Sequence, residues 1–243
     1  PAPRVVLRNG VFDVAASDLS GLPAGVRVTR LADLLGLPAA RDTQILARRF
    51  ERGDEVFARL NAALARDGVL VEAESGAQAH TPLHLVFVGE PDGADRAWHL
   101  RHRIELARDA VLTVVEHHVA TGAHRHLANH LAHVHLAPGA RLVHARVQDD
   151  AEGATHLART DAVLGSHARY ARVDLELGAG LARHELNVAL HGGDAHARCD
   201  GVLLGTGGRH LDTRLGIDHV GRDGTCELTW RGLAAGRSRV VFH

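Results

Sequence analysis

Lysine and methionine are missing altogether from this 243-residue chain, and cysteine, proline and aromatic residues are scarce. Each shortage excludes something. A Walker loop ends in Gly-Lys-Ser/Thr, so without lysine the stretch Gly205-Thr206-Gly207-Gly208 is no ATPase signature. Two cysteines, Cys199 and Cys226, cannot build a disulfide framework and fit a reducing cytosol, which sets the expectation of a cytoplasmic protein. No apolar run approaches the roughly 18 residues of a membrane span. The opening Pro1-Ala2-Pro3-Arg4 carries no charged-then-apolar leader, and the missing initiator methionine reads as a fragment or as a chain from which residues have been dropped. Arginine supplies all 28 basic residues against 29 acidic ones, and a formal net charge of -1 argues against a general nucleic-acid footprint. Arginine in place of lysine, with abundant alanine and glycine, reads as coding bias, and the same bias bears on the 20 histidines.

What is present is organised in three segments. To about residue 50 the chain reads as a hairpin and short helices. Val5-Val6-Leu7 and Val11-Phe12 flank Asn9-Gly10, a pair suited to the positive φ angles of a tight hairpin turn. A strand at Val26 to Val28 precedes a helix at Leu31 to Leu35. From Asp54 to Arg66, Val56, Phe57, Leu60, Ala63 and Leu64 recur at helical spacing, with Asp67-Gly68 as the stop. Strands follow at Val69 to Val71 and, behind Pro82, at Leu83 to Val88.

From Trp98 onward the helical period gives way to alternation. Ile104 and Leu106, Leu131 and Leu136, Val173 and Leu177, and Leu186 and Leu190 mark successive runs, broken by small-residue turns. Aligning Asp109-Ala110, Gly139-Ala140, His167-Ala168, Asp194-Ala195 and Gly224-Thr225 gives a repeat of about 27 to 30 residues, the mark of stacked units. One unit cannot bury its apolar face alone, whereas stacking supplies the missing partner. The expected fold is mainly β: a right-handed parallel β-helix over 98-243, preceded by a small α+β region over 1-97. An antiparallel sandwich is the alternative. With aromatics at 3%, the core must be Val, Leu, Ala and Ile, which suits a narrow stacked interior.

Chemistry is harder to place. His117, His118, His124, His126, His130, His133 and His135 crowd one stretch, and imidazole is the commonest protein metal ligand. Alternation puts His124 with His126, and His133 with His135, on one face each. The bland reading is solvated or half-buried strand histidines; the other is a weak metal surface. HExxH and CxxC are both absent. Cys199 and Cys226 stand one repeat apart, so stacking brings them near each other, either as inert buried thiols or as a thiophilic pair. A carbohydrate-cleaving β-helix would need acidic groups on one face, for which Asp212, Asp218 and Asp223 are candidates that fit turns equally well. Ser166 and Ser238 stand in turns without an evident base.

Two separated stretches carry a resemblance. Ala58 to Val88, ARLNAALARDGVLVEAESGAQAHTPLHLVFV, is similar to the N-terminal region shared by SufB and SufD, the scaffold proteins of SUF iron-sulfur cluster assembly. His210 to Phe242, with His210-x-Asp212, Asp218-His219 and Gly236-Arg237-Ser238-Arg239, resembles the late β-helix of the same family, and Asn129 onward fits one of its coils. Leu228 stands where the family usually has glutamine, and Cys226 where serine is common. The short region before Leu60-Asn61-Ala62-Ala63-Leu64 and the lack of a cysteine-rich insertion fit the SufD branch. The resemblance implies a non-catalytic scaffold that pairs with SufB-like and SufC-like subunits, with the cluster assembled transiently at the complex and none bound by this chain alone. It places the cluster-related histidine and the SufC-binding helices beyond the last residue here, His243, so no catalytic, cofactor or metal residue is carried over. A β-helix enzyme and a histidine-rich metal-binding protein stay open. Arg239-Val240-Val241-Phe242 reads as a strand entering an unfinished coil, which a second chain would cover in a homodimer, with Val241 expected inside the stack.

Overall fold

The structure, a computed structural model, describes residues 3–35 and 55–243. Asn9 and Gly10 both take positive φ, and they turn β1 (Arg4–Arg8) back onto β2 (Val11–Phe12) as an antiparallel hairpin. β3 (Val26–Arg30), α1 (Leu31–Leu35), α2 (Val56–Leu64), β4 (Val69–Ala73) and β5 (Leu83–Gly89) follow. The expected helix start at Asp54 lies outside the described residues.

Beyond them the chain is all strand and turn: β6 (Ala97–Leu106), β7 (Val111–Ala120), β8 (Leu127–Leu136), β9 (Arg141–Asp149), β10 (Thr155–Leu164) and β11 (Arg169–Glu176). β12 (Leu181–Leu190), β13 (His196–Gly205), β14 (His210–His219), β15 (Thr225–Ala234) and β16 (Arg239–Phe242) complete it. From β4 onward odd and even strands separate into two eight-stranded sheets, ordered β15-β13-β11-β9-β7-β5-β1-β2 and β16-β14-β12-β10-β8-β6-β4-β3. β3 meets β4 antiparallel, but every pairing among β4 to β16 is parallel, so the chain is a parallel β-solenoid of about six turns, each giving one strand to each sheet. The sandwich alternative required antiparallel neighbours and is overturned. β1, β4 and β5 belong to the same two sheets, which therefore run unbroken across residue 97.

The repeat read from the sequence is the corner of the coil. Asp109, Gly139, His167, Asp194 and Asp223 all have positive φ, and each of their first four successors, Ala110, Ala140, Ala168 and Ala195, is wholly buried. In the fifth corner the left-handed residue is Asp223, one place before the Gly224 of the sequence alignment. Corner amides bond from coil to coil: Asp109 N to Pro138 O, Gly139 N to Ser166 O, His167 N to Gly193 O and Asp194 N to Arg222 O. Along this edge the interior is apolar, with the register stacking Leu106, Leu136, Leu164 and Leu190 in one fully buried ladder. Four leucines of that kind contribute on the order of 1.5–3 kcal/mol each relative to exposure.

α2 departs from expectation. Its apolar stripe faces outward: Val56, Phe57, Leu60 and Leu64 are exposed, while Ala58 and Asn61 are buried against β6 and β8. The reason is the sheet's pleated surface. A small residue admits close approach, and Asn61 Nδ2 reaches two main-chain carbonyls, Leu100 O at 2.9 Å and Asn129 O at 3.1 Å. Asn129 Nδ2 returns a bond to Phe57 O.

Candidate functional site

Across the coil from the leucine ladder the interior turns polar. Inward positions of β7, β9 and β11 carry Glu116 and His118, then His144, Arg146 and Gln148, then Tyr170, Arg172, Asp174 and Glu176. The even sheet answers with His102, His130, His156 and His184. The in-phase stacks Glu116–Arg146–Asp174 and His118–Gln148–Glu176 put opposite or hydrogen-bonding groups on adjacent strands. Unpaired charges cannot stay in so dry a place, so each has a partner within the network.

Glu116 accepts from His144 Nε2 at 2.7 Å and from His118 Nε2 at 3.1 Å. His144 Nδ1 accepts from Arg172 Nη1 at 2.8 Å, which fixes its tautomer. Arg172 forks onto Asp174, Arg146 donates to Glu176 at 3.1 Å and to His156 Nε2 at 2.7 Å, and His184 Nδ1 donates to Glu176 at 2.9 Å. His156 Nδ1 lies 3.0 Å from Asp150, which also accepts from Gln148. On the other sheet Val69 N donates to His102 Nδ1, and His102 Nε2 lies 3.3 Å from His130 Nδ1.

The electrostatics follow from burial and pairing. Burial pushes His118 down to about 3 and His102 to about 4, and it holds His130 and His144 below the ordinary imidazole value, so these four rings are neutral at pH 7. For Asp174 burial acts upward, but Arg172, His184 and Arg146 outweigh it and bring the carboxyl to about 2. Glu116 and Glu176 are lowered against burial in the same way, by His144 and His118 and by His184 and Arg146.

Asp174, Glu176 and His184 offer three ligand atoms within 4.8 Å of one another. Two guanidiniums already face those carboxylates, Arg172 at 2.7 Å from Asp174 and Arg146 at 3.1 Å from Glu176. A divalent cation there would meet fixed positive charge, so the trio is read as the anionic half of an ion-pair network.

The histidine cluster of the sequence is split by the strands. His118 and His130 point into the network. His117 is on the outer face, where its Nε2 lies 2.9 Å from Nδ1 of His84. His133 accepts from Arg101 Nε on the outer face of β8, and His135 is exposed there. His124 and His126 stack at 4.3 Å in the turn before β8, and His126 Nε2 donates to Glu90 O. Cys226 pairs in register with Ala197 and Cys199 with Leu228, so the two thiols sit two residues out of step on adjacent strands; burial pushes Cys199 up to about 12. Asp212 is ion-paired to Arg183, Asp218 is exposed and Asp223 forms a corner, so the three do not converge. Ser166 lends a corner carbonyl, and Ser238 Oγ accepts from Ala235 N. Val241 pairs with Asp212, on the outward phase; Val240 is the residue packed inside, against the cluster that holds Leu211. The expectation for Val241 is corrected accordingly, because the register lays Val240, not Val241, on the inward Leu211.

Sequence reading missed Glu116, His144, Arg146, His156, Arg172, Asp174, Glu176 and His184. The available signal was their phase: on β9, β11 and β12 each continues the inward alternation that Leu142, Tyr170 and Ala182 begin.

Among the described residues no helix is long and apolar enough to cross a membrane. Residues 87–243, the coils that hold the network, match the protein family described as SUF system FeS cluster assembly, SufBD core domain. The chain is 26% identical over 193 residues to an iron-sulfur cluster assembly SufBD family protein of Synechocystis, covering 76% of this chain and 42% of that one. It is 25% identical over 244 residues to the iron-sulfur cluster assembly protein SufD of Escherichia coli, covering 99% and 54%. A SufBD family protein of Mycobacterium tuberculosis is 29% identical over 182 residues, covering 75% and 43%. The chain thus spans about half the length of the curated relatives it matches.

Proposed function

Since the chain belongs to the SufBD family of iron-sulfur cluster assembly proteins, we propose that it is a non-catalytic, cytoplasmic scaffold subunit of the SUF system, on the SufD side, pairing with SufB-like and SufC-like subunits. The observation that supports the partner proposal is the match of residues 87–243, the coils of the solenoid, to the SufBD core domain. A SufB-like subunit is the proposed neighbour, and a second copy of this chain is the alternative in isolation.

The cluster is substrate here, assembled at the complex. Two cysteines are fewer than the four thiolates that a cluster generally takes, and the burial of Cys199 supports the view that this chain alone retains none. The dispersal of Asp212, Asp218 and Asp223 supports the non-catalytic reading.

Co-expression with SufB-like and SufC-like proteins, followed by affinity purification, tests the proposal. A stoichiometric complex is expected. Recovery of this chain alone counts against the pairing.

A further inference from the structure

The His84–His117 pair lies apart from the interior network and from the terminal coil. The two residues are diagonal neighbours on β5 and β7: the register sets His84 beside Val115 and His117 beside Val86. Their flanking residues Leu83, Leu85, Glu116 and His118 point inward, so the alternation aims both rings outward. Both are half-buried, His84 Nδ1 and His117 Nε2 lie 2.9 Å apart, and the ring planes differ by 27°.

That spacing has chemical meaning. Two imidazole nitrogens bound at 2.0–2.1 Å and about 90° to one another stand about 2.9 Å apart, the cis edge of a square-planar or octahedral ion. A tetrahedral ion would need about 3.4 Å. We propose that His84 and His117 form a two-histidine site, on the outer face of the β5–β7 sheet, for a late first-row divalent ion that accepts cis nitrogen ligands, Cu(II) above all.

The sheet supplies the preorganisation. Neighbouring parallel strands hold the two Cα atoms, and Val86, Val115 and Val147 are the neighbours of the two histidines in register. The nearest cation in register, Arg4, beside His84 on β1, is committed to Ala16 O at 2.8 Å and to Asp18. Burial holds both imidazoles below their ordinary value, so both are neutral at pH 7. Without metal, one ring's N–H donates to the other's nitrogen. Binding needs a tautomer change, in which that hydrogen appears on the far nitrogen of its own ring and no net proton leaves, and a turn of the rings that brings both lone pairs onto one ion. Two protein ligands leave the remaining positions to water, or to a ligand brought by another molecule.

The test is a titration of the full chain with Cu(II) at pH 7.5, followed by electron paramagnetic resonance and calorimetry. One ion with two-nitrogen superhyperfine structure is expected. His84→Gln and His117→Gln should each weaken it at least tenfold, while His135→Gln, at an exposed histidine outside the pair, leaves it unchanged. Independently of any variant, substoichiometric Cu(II) should broaden the ring signals of His84 and His117 first in the wild-type chain. Equal affinity in wild type and both pair variants overturns the assignment, and so does first broadening at other histidines.

Discussion

Arg172 and Asp174, two residues apart on β11, point the same way into the solenoid and meet in a forked pair, Nε to Oδ2 at 2.9 Å and Nη2 to Oδ1 at 2.7 Å, with neither side chain exposed. A strand's period of two is what lets one residue ion-pair with its second neighbour. The pair sits one coil from His144 and Arg146 and is tied to both, so it closes the network on that side.

Breaking this pair should cost far more than replacing it. Asp174→Asn leaves a dry guanidinium short of its counter-charge and should lose about 3–5 kcal/mol. The double variant Arg172→Met, Asp174→Leu removes both charges and should recover most of that loss. Urea unfolding of the three proteins decides it; equal losses in single and double variants would show that volume, not charge, governs the site.

Acid should loosen the chain before ordinary carboxylate titration begins. Burial holds His118 at about 3 and His102 at about 4, so between about pH 6.5 and 4 the unfolded chain binds protons that these two rings refuse in the native chain, and the lowering of His130 and His144 acts in the same direction. Stability therefore falls as pH drops through that window, by roughly 1.4 kcal/mol per pH unit for each of His118 and His102. Below it the lowered carboxyls of Asp174, Glu116 and Glu176 add a loss of the same sign. Urea midpoints at pH 7.5, 6 and 5 measure the slope, which His118→Phe should flatten; a midpoint constant over this range refutes the view of neutral buried rings.

His167 occupies a corner at φ 58°, where a Cβ is strained. His167→Gly should stabilise by about 0.5–1 kcal/mol, and His167→Val should destabilise by more than that, because branching at Cβ worsens the same clash. Thermal melts of both variants are the measurement. Identical shifts in the two would mean that the side chain's contacts, not its backbone angle, set stability there.

Asn61 anchors α2 by its amide rather than by an apolar side chain. Asn61→Leu removes the two hydrogen bonds to the carbonyls of Leu100 and Asn129, each worth about 0.5–1.5 kcal/mol net. Hydrogen exchange should rise across α2 while the coil strands keep their protection. Unchanged exchange in α2 would place its anchor elsewhere.

The sequence alone determined the hairpin at Asn9-Gly10, the coil repeat and the corner alanines, because each depends on backbone preference or on a period that the chain itself displays. It did not determine which way α2 turns. Val56, Phe57, Leu60 and Leu64 make the better apolar stripe, yet the sheet accepts Ala58 and Asn61, since only small or hydrogen-bonding groups fit so close to its carbonyls. Nor did it disclose the network. Glu116 needs His144, 28 residues on, and Arg146 needs Glu176, 30 residues on, and those partners become neighbours only when one coil is laid on the next. His84 and His117, 33 residues apart, are brought to 2.9 Å for the same reason. Alternation says which side chains go inside or outside; stacking decides whom they meet, and so whether a buried charge is tolerated and whether two imidazoles become a site.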